Sequence, residues 1–353
     1  MRRLLVPALL LLTGCAGVAG TGVPEPGVPG RAVLAHDVET GELLWRREIS
    51  PPVAATEPVL VAGVVLVHGG PLIAYDARSG ERLWSLDSEL GQPQVAGDVV
   101  VLPHEQDVQA VDARTGRSLW RQPLSPGERV FAGPGGVVVL TDRQLGPPYD
   151  LQPAAPEPPG QVRLLTLDGE QAWQVDVAAV PMYADAEADV IAVAGLRGDV
   201  VALAAPDGRQ LWRTRTSPAN VVLVTGDRVL ARLETGVVAL DAASGRELWR
   251  QQAAGSGAPL QVSGNRVLVV RHADTSRLLS LADGRVLDEV RAWDVELSGD
   301  GIVRAAPDEL RFESETRGWI STVSTGDRPV LWTDADDDVV VGVAGWGQPP
   351  TRD

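Results

Sequence analysis

A tryptophan that returns six times, each time with a glycine four residues before it, restricts this chain more than any other feature. Trp45, Trp84, Trp120, Trp173, Trp212 and Trp249 follow Gly41, Gly80, Gly116, Gly169, Gly208 and Gly245. Before those glycines stand Thr40, Ser79, Thr115, Asp168, Asp207 and Ser244, always a short oxygen-bearing side chain. Asp37, Asp76, Asp112 and Asp241 lie eight residues before the tryptophan, and Ala35, Ala74, Ala110, Ala202 and Ala239 lie ten before it. A seventh copy, "LLSLADGRVLDEV", keeps Asp283 and Gly284 but has Asp288 at the tryptophan position. A catalytic motif occurs once; one that recurs in register describes architecture.

Each copy reads as a β-hairpin. Short β-patterned runs such as "LIAY" and "GVVALD" precede the turn, and "ERLW" or "RELW" follow it. Asp, Ser and Thr oxygens accept backbone N–H bonds in such turns, and glycine supplies positive φ. The indole adds a flat apolar body whose N–H needs a partner. Successive tryptophans are 39, 36, 53, 39 and 37 residues apart, room for four short strands per repeat, which is the blade of a β-propeller. The chain opens at Arg31 with two strands, "RAVLAHD" and "ELLWRREI", and closes with two more, "RPVLWTD" and "DDVVVGVAG". Pairing these N- and C-terminal strands makes one blade from both ends and removes open sheet edges. Six whole units and a worn unit from Trp293 to Thr325, with Gly318 as its turn glycine, complete an all-β, eight-bladed propeller of four-stranded antiparallel blades over residues 31–346. Seven blades, with the worn unit as an appendage, is the alternative count.

The motif, alanine-x-Asp-x-x-Thr-Gly-x-x-x-Trp over residues 31 to about 345, resembles the PQQ-like repeat family, whose tryptophan docks between blades. WD40 and kelch patterns do not recur here. The resemblance extends to the BamB-type propeller lipoprotein of the outer-membrane β-barrel assembly machinery, and it implies a non-catalytic binding scaffold. It also implies an alternative, because the family includes quinoprotein dehydrogenases. Their site takes PQQ and Ca²⁺, with an adjacent-cysteine disulfide, an acidic base, and carboxylate and amide ligands. This chain has a single cysteine and no Cys-x-x-Cys-His.

That cysteine, Cys15, closes the opening stretch "MRRLLVPALLLLTGCAG". Arg2 and Arg3, the apolar run Leu4–Leu12 and then small residues read as a signal sequence, residues 1–14. The run is shorter than the roughly 20 residues needed to span a bilayer. Leu12-Thr13-Gly14-Cys15 resembles a bacterial lipobox, which implies cleavage before Cys15 and acylation of it by palmitate-type chains. Residues 15–30 then form a lipidated Gly/Pro-rich tether, and residues 347–353 a short tail. The expected location is the cell membrane, lipid-anchored and facing the extracytoplasmic side. The formal net charge of −16 sets nucleic acid aside as a partner.

Chemistry finds little foothold in the rest. Of His36, His68, His104 and His272, the last three fall at the ends of second strands, on one face of the disc, and read as loop residues rather than zinc ligands. Asp334, Asp336 and Asp338 echo the start of a Ca²⁺ loop, but Val339 and Gly345 occupy the positions of its glycine and glutamate. No Gly-x-Ser-x-Gly elbow or phosphate loop occurs. The expectation is no catalytic residue, no metal and no cofactor, PQQ and Ca²⁺ belonging to the alternative; small-ligand sensing in the central channel is a third reading.

Two features offer binding surface for an envelope protein partner. Residues 143–161, "RQLGPPYDLQPAAPEPPGQ", lengthen one repeat between its second and third strands, on the face of the histidine loops. Tyr149 and Leu151 within them, with His104, are the candidate partner-binding residues; a tolerated surface loop is the competing reading. Trp293, Trp319, Trp332 and Trp346 either anchor an interface or replace the docking tryptophans that the worn blades lost.

Overall fold

The computed structural model describes residues 31–37, 40, 42–49, 58–68, 71–86, 92–141, 160–187, 189–252, 260–270, 276–290, 295–298, 301–306, 309–314, 320–324, 330–335 and 339–344. Cys15, Gly41, Tyr149, Leu151, His272, Trp293, Gly318, Trp319 and Trp346 lie outside these residues. Among them the regular elements are β-strands in eight four-stranded antiparallel sheets.

The chain begins with β1 (Arg31–Asp37) and β2 (Leu43–Ile49). The second blade is β3 (Val59–Val61), β4 (Val64–His68), β5 (Leu72–Asp76) and β6 (Arg82–Leu86). The third is β7 (Gln94–Ala96), β8 (Val99–Pro103), β9 (Asp107–Asp112) and β10 (Ser118–Pro123). The fourth is β11 (Arg129–Gly133), β12 (Gly136–Thr141), β13 (Gly160–Leu165) and β14 (Gln171–Val177). The fifth is β15 (Pro181–Glu187), β16 (Val190–Gly195), β17 (Asp199–Ala204) and β18 (Gln210–Arg215). The sixth is β19 (Ala219–Thr225), β20 (Arg228–Leu233), β21 (Gly236–Asp241) and β22 (Glu247–Gln252). The seventh is β23 (Leu260–Ser263), β24 (Arg266–Val270), β25 (Ser276–Ser280) and β26 (Val286–Val290). The eighth is β27 (Val295–Ser298), β28 (Gly301–Ala306), β29 (Glu309–Ser314) and β30 (Ile320–Ser324). Finally β31 (Val330–Ala335) and β32 (Val339–Ala344) join the chain's start, β32 pairing with β1 from Ala32↔Ala344 to Asp37↔Val339. This composite sheet, ordered β2-β1-β32-β31, is the first blade, and its β31 touches both β3 and β27.

Burial follows position within the blade. Second strands lie between two neighbouring sheets, so they read as continuous valine-rich runs such as "GVVVLT", buried almost throughout. Fourth strands lie at the rim and alternate, as in "QLWRTR", where Trp212 is the buried residue. The core is therefore a ring of seams between blades. Between blades five and six, Ala192, Ala194 and Ala202 meet Val222, Val224 and Ala231; small alanines on one side let branched side chains from the other sheet seat closely.

The repeated motif ties these seams together. Asp37, Asp76, Asp112 and Asp241 each accept from the backbone N–H and the hydroxyl of Thr40, Ser79, Thr115 and Ser244. Those bonds hold the Asp76, Asp112 and Asp241 carboxyls below the usual range. Each indole then donates forward into the following blade. Trp45 reaches the Ala77 carbonyl at 2.7 Å, Trp84 reaches Ala113 at 2.9 Å, and Trp120 reaches Leu167 at 2.7 Å. Trp173 reaches Ala205 at 2.6 Å, Trp212 reaches Ala242 at 2.7 Å, and Trp249 reaches Leu281 at 2.9 Å. The ring covers the next blade's turn glycine: a Cβ on Gly245, at φ +70°, would lie 2.5 Å from Trp212 Cδ2. In the first seven blades the outer hairpin shifts register one residue before the tryptophan position, a β-bulge that re-aims the side chain.

Trp332 lies on β31, the innermost strand of its blade. The six docking indoles stand on outermost strands, so Trp332 holds a different strand position from theirs, as expected for "RPVLWTD" at the start of a blade.

Candidate functional site

Strands alternate direction within each blade, so the second-to-third connections and the blade-to-blade connections share one face. The segment 142–159 leaves this face from Thr141 at the end of β12 and returns at Gly160, the start of β13. His68 ends β4 and His104 follows β8 on the same face, the latter in the blade beside the segment.

The base of the segment is held by a partly buried carboxylate. Glu128 Oε1 accepts from the Thr141 hydroxyl at 2.9 Å. Its Oε2 accepts from the Ser125 N–H at 2.8 Å and from Arg163 Nη2 at 3.2 Å. One residue therefore joins the preceding connection, the end of β12 and the body of β13. At the other end the Gly160 N–H donates to Ala179 at 2.9 Å, and a Cβ there would lie 2.1 Å from Pro181 Cδ. Only glycine fits that approach. Arg129 continues the lock into the next blade, donating to the Pro181 carbonyl and lying 3.4 Å from Met182 Sδ. On blade five, Asp199 is buried and paired with Arg213 at 2.9 Å and Arg215 at 3.4 Å.

His104 is built into its own hairpin. Its N–H donates to the Asp107 carbonyl at 2.7 Å, and Nε2 lies 3.9 Å from the Asp107 carboxylate, which Arg121 also meets at 2.8 Å. Its side chain is partly buried, as is that of His68, whose pKa burial lowers. His36 is buried within β1, opposite Leu43 and Val340. Among the described residues no three His, Cys, Asp or Glu side chains converge on a metal-sized point. The chain has a single cysteine, so the adjacent-cysteine pair of the dehydrogenase site in this repeat family has no counterpart in it.

Toward the axis the inner strands carry polar ties that periodicity alone did not single out. Gln94 donates to Val130 at 2.9 Å and accepts from the Ala132 N–H at 2.7 Å. Asp185 accepts from the Val224 N–H at 2.7 Å, and Gln261 accepts from the Leu297 N–H at 3.0 Å. All three occupy the same hairpin position, opposite Val101, Ala192 and Leu268. Each satisfies a backbone donor on the next blade's innermost strand, an edge that has no sheet partner on that side. A polar residue in an otherwise apolar inner strand was the available signal. Beside Asp185, Phe131 and Tyr183 meet edge-on with centroids 6.3 Å apart.

Asp185 keeps part of its side chain at solvent, yet its carboxyl is set deep, and loss of hydration pushes its pKa up to about 6 against bonds from Val224 and Ala186; Glu187 adds to the rise. A folded-state pKa above the unfolded value of 3.8 means stability present at low pH is lost as pH rises through about 6. Asp185→Asn keeps an acceptor for Val224 and removes the titration. In thermal unfolding, its advantage over the wild type should be small near about pH 4 and should grow up to about pH 7. An advantage independent of pH would refute the assignment.

A family model described as outer membrane protein assembly factor BamB matches residues 29–146, 158–289 and 199–338. A BamB from Yersinia pestis is 38% identical over 90 residues, which span 22% of this chain and 23% of that protein. The crystal structure of BamB from Moraxella catarrhalis aligns with a TM-score of 0.54 and 16% identity, covering 84% of this chain and all of that one. The computationally designed Ika8 protein aligns with a TM-score of 0.60 and 15% identity, covering 84% of this chain and 97% of that one. At these identities the structural likeness concerns the fold.

Proposed function

This chain belongs to the family of the outer membrane protein assembly factor BamB, and on that premise we propose that it is a non-catalytic scaffold that binds a protein partner in the cell envelope. It works outside the cytoplasm as a lipoprotein held to the membrane through acylated Cys15, and it takes neither PQQ nor Ca²⁺. The observation that carries the reading is the insertion's footing. A six-proline segment departs from a base fixed by Glu128, Arg163, Thr141 and Gly160. A fixed base lowers the entropy cost of presenting an extended peptide to a partner. Tyr149 and Leu151 supply its apolar contacts, with His104 on the same face of the neighbouring blade. The family name supports an envelope partner, and the lipobox supports the anchor.

Deleting residues 144–159 tests this. Blade six closes the same connection with Glu234 and Thr235 alone between Leu233 and Gly236, so the shortened hairpin is within the fold's habit. In-cell crosslinking with mass spectrometry should capture an envelope protein with the full chain and lose it with the deletion. Equal capture from both would remove the insertion from the interface. Capture of no specific protein by either would overturn the scaffold reading.

A further inference from the structure

The chain has two methionines, Met1 and Met182, and the second stands where blades four and five are locked together. Pairing in the β15–β16 hairpin passes from Pro181↔Gly195 to Tyr183↔Ala194, so Met182 is the extra residue of a bulge, and its side chain is partly exposed. From blade four, both terminal nitrogens of Arg129 are turned to its sulfur, Nη1 at 3.4 Å and Nη2 at 3.5 Å. Nη2 also donates to the Pro181 carbonyl. A thioether is a weak acceptor, so a charged, two-pronged donor is directed at a group that makes little use of it. An oxygen bonded to that sulfur would make full use of it, because hydrogen bonds from a guanidinium to an oxygen are strong.

We propose that Met182 is an oxidation site for hydrogen peroxide, and that Arg129 binds the resulting sulfoxide and passes the change to the foot of the insertion. A sulfur lone pair attacks one peroxide oxygen. The S–O bond forms, the O–O bond breaks, and the departing hydroxide takes the proton of the transferred oxygen and leaves as water. The sulfur is oxidised by two electrons and the peroxide is reduced. In an apolar seam a sulfoxide oxygen would lack a donor and destabilise the fold. At Met182 partial exposure admits the oxidant, and Arg129 supplies the donor. Seating an oxygen at hydrogen-bond length between sulfur and guanidinium widens their separation by about 0.5 Å. Arg129 follows Glu128, and Pro181 lies against Gly160, so the displacement falls on both ends of the insertion's footing. Methionine sulfoxide reductases reverse the step. The inference holds whether or not the insertion binds a partner.

Peptide mapping of the full chain after hydrogen peroxide treatment tests the site. Met182 should gain one oxygen at a rate within about ten-fold of that in the urea-unfolded chain, and protection of about a hundred-fold or more overturns it. Thermal unfolding of the oxidised and reduced protein reads the role of Arg129. The fall in Tm on oxidation should be about two-fold or more larger in Arg129→Lys, which keeps the charge and loses the fork. Equal falls in wild type and Arg129→Lys overturn the contact. Met182→Leu, which conserves volume, should hold its Tm through the same treatment; a fall equal to that of the wild type places the damage elsewhere and overturns the site. Hydrogen exchange of the oxidised wild type should be faster by about two-fold or more over Gly160–Leu165, with β20 and β21 unchanged. Unchanged exchange over Gly160–Leu165 overturns the passage to the insertion's foot.

Discussion

Trp212→Ala should lower the free energy of unfolding by about 3–5 kcal/mol, the range for removing a large aromatic side chain from a core. The indole is 8% exposed, packs in the seam of blades five and six, and gives its N–H to Ala242 at 2.7 Å. Alanine leaves a cavity between two sheets and an Ala242 carbonyl without that donor. Trp212→Phe separates the two contributions: it keeps most of the apolar body and should cost about 1–3 kcal/mol, mainly through the unpaired carbonyl and imperfect fill. Urea unfolding followed by circular dichroism gives both values. A Trp212→Ala midpoint within error of the wild type would mean the staple carries no weight in this seam.

The second large effect is on the receiving side. Gly245→Ala should cost about 2–5 kcal/mol, combining left-handed backbone strain with displacement of a packed ring. At φ +70° the added methyl would lie 2.5 Å from Trp212 Cδ2 and 2.7 Å from Thr214 Oγ1, and that hydroxyl is itself bonded to the Gly245 carbonyl at 2.7 Å. The two substitutions should be strongly non-additive. In a Trp212→Ala background the ring is gone, so Gly245→Ala should cost the backbone part, about 1–2 kcal/mol, plus the shift of the Thr214 hydroxyl that the methyl still requires. Full additivity in the double-mutant cycle would show that ring and glycine do not act on each other.

Much of this architecture was legible in the residues. The motif marks an outer hairpin by purely local chemistry: an Asp that captures two donors three residues on, a glycine at positive φ, and an indole after it. Such features depend on neighbours within ten residues, so they repeat as letters. The count of eight followed from spacing, and the pairing of Arg31–Asp37 with Val339–Ala344 followed from half-blades at both ends. Of the candidate partner-binding residues, His104 was placed on the correct face, but its bonding to Asp107 is a matter of turn geometry.

Reading the motif as a unit links each tryptophan with the glycine four residues before it. The folded ring links it with the glycine of the following blade, Trp212 with Gly245 and Trp249 with Gly284. Side chains stand perpendicular to their own sheet, so an indole on an outer strand reaches across to the next sheet and not along to its own turn. The inner ties of Gln94, Asp185 and Gln261 and the Glu128 anchor under the insertion belong to the same class, joining residues 13 to 39 positions apart. Local bonding and periodicity therefore determined the blade and the number of blades. Which groups meet between blades was decided only when the sheets packed face to face, because those contacts depend on strand direction, bulge and register across the seam.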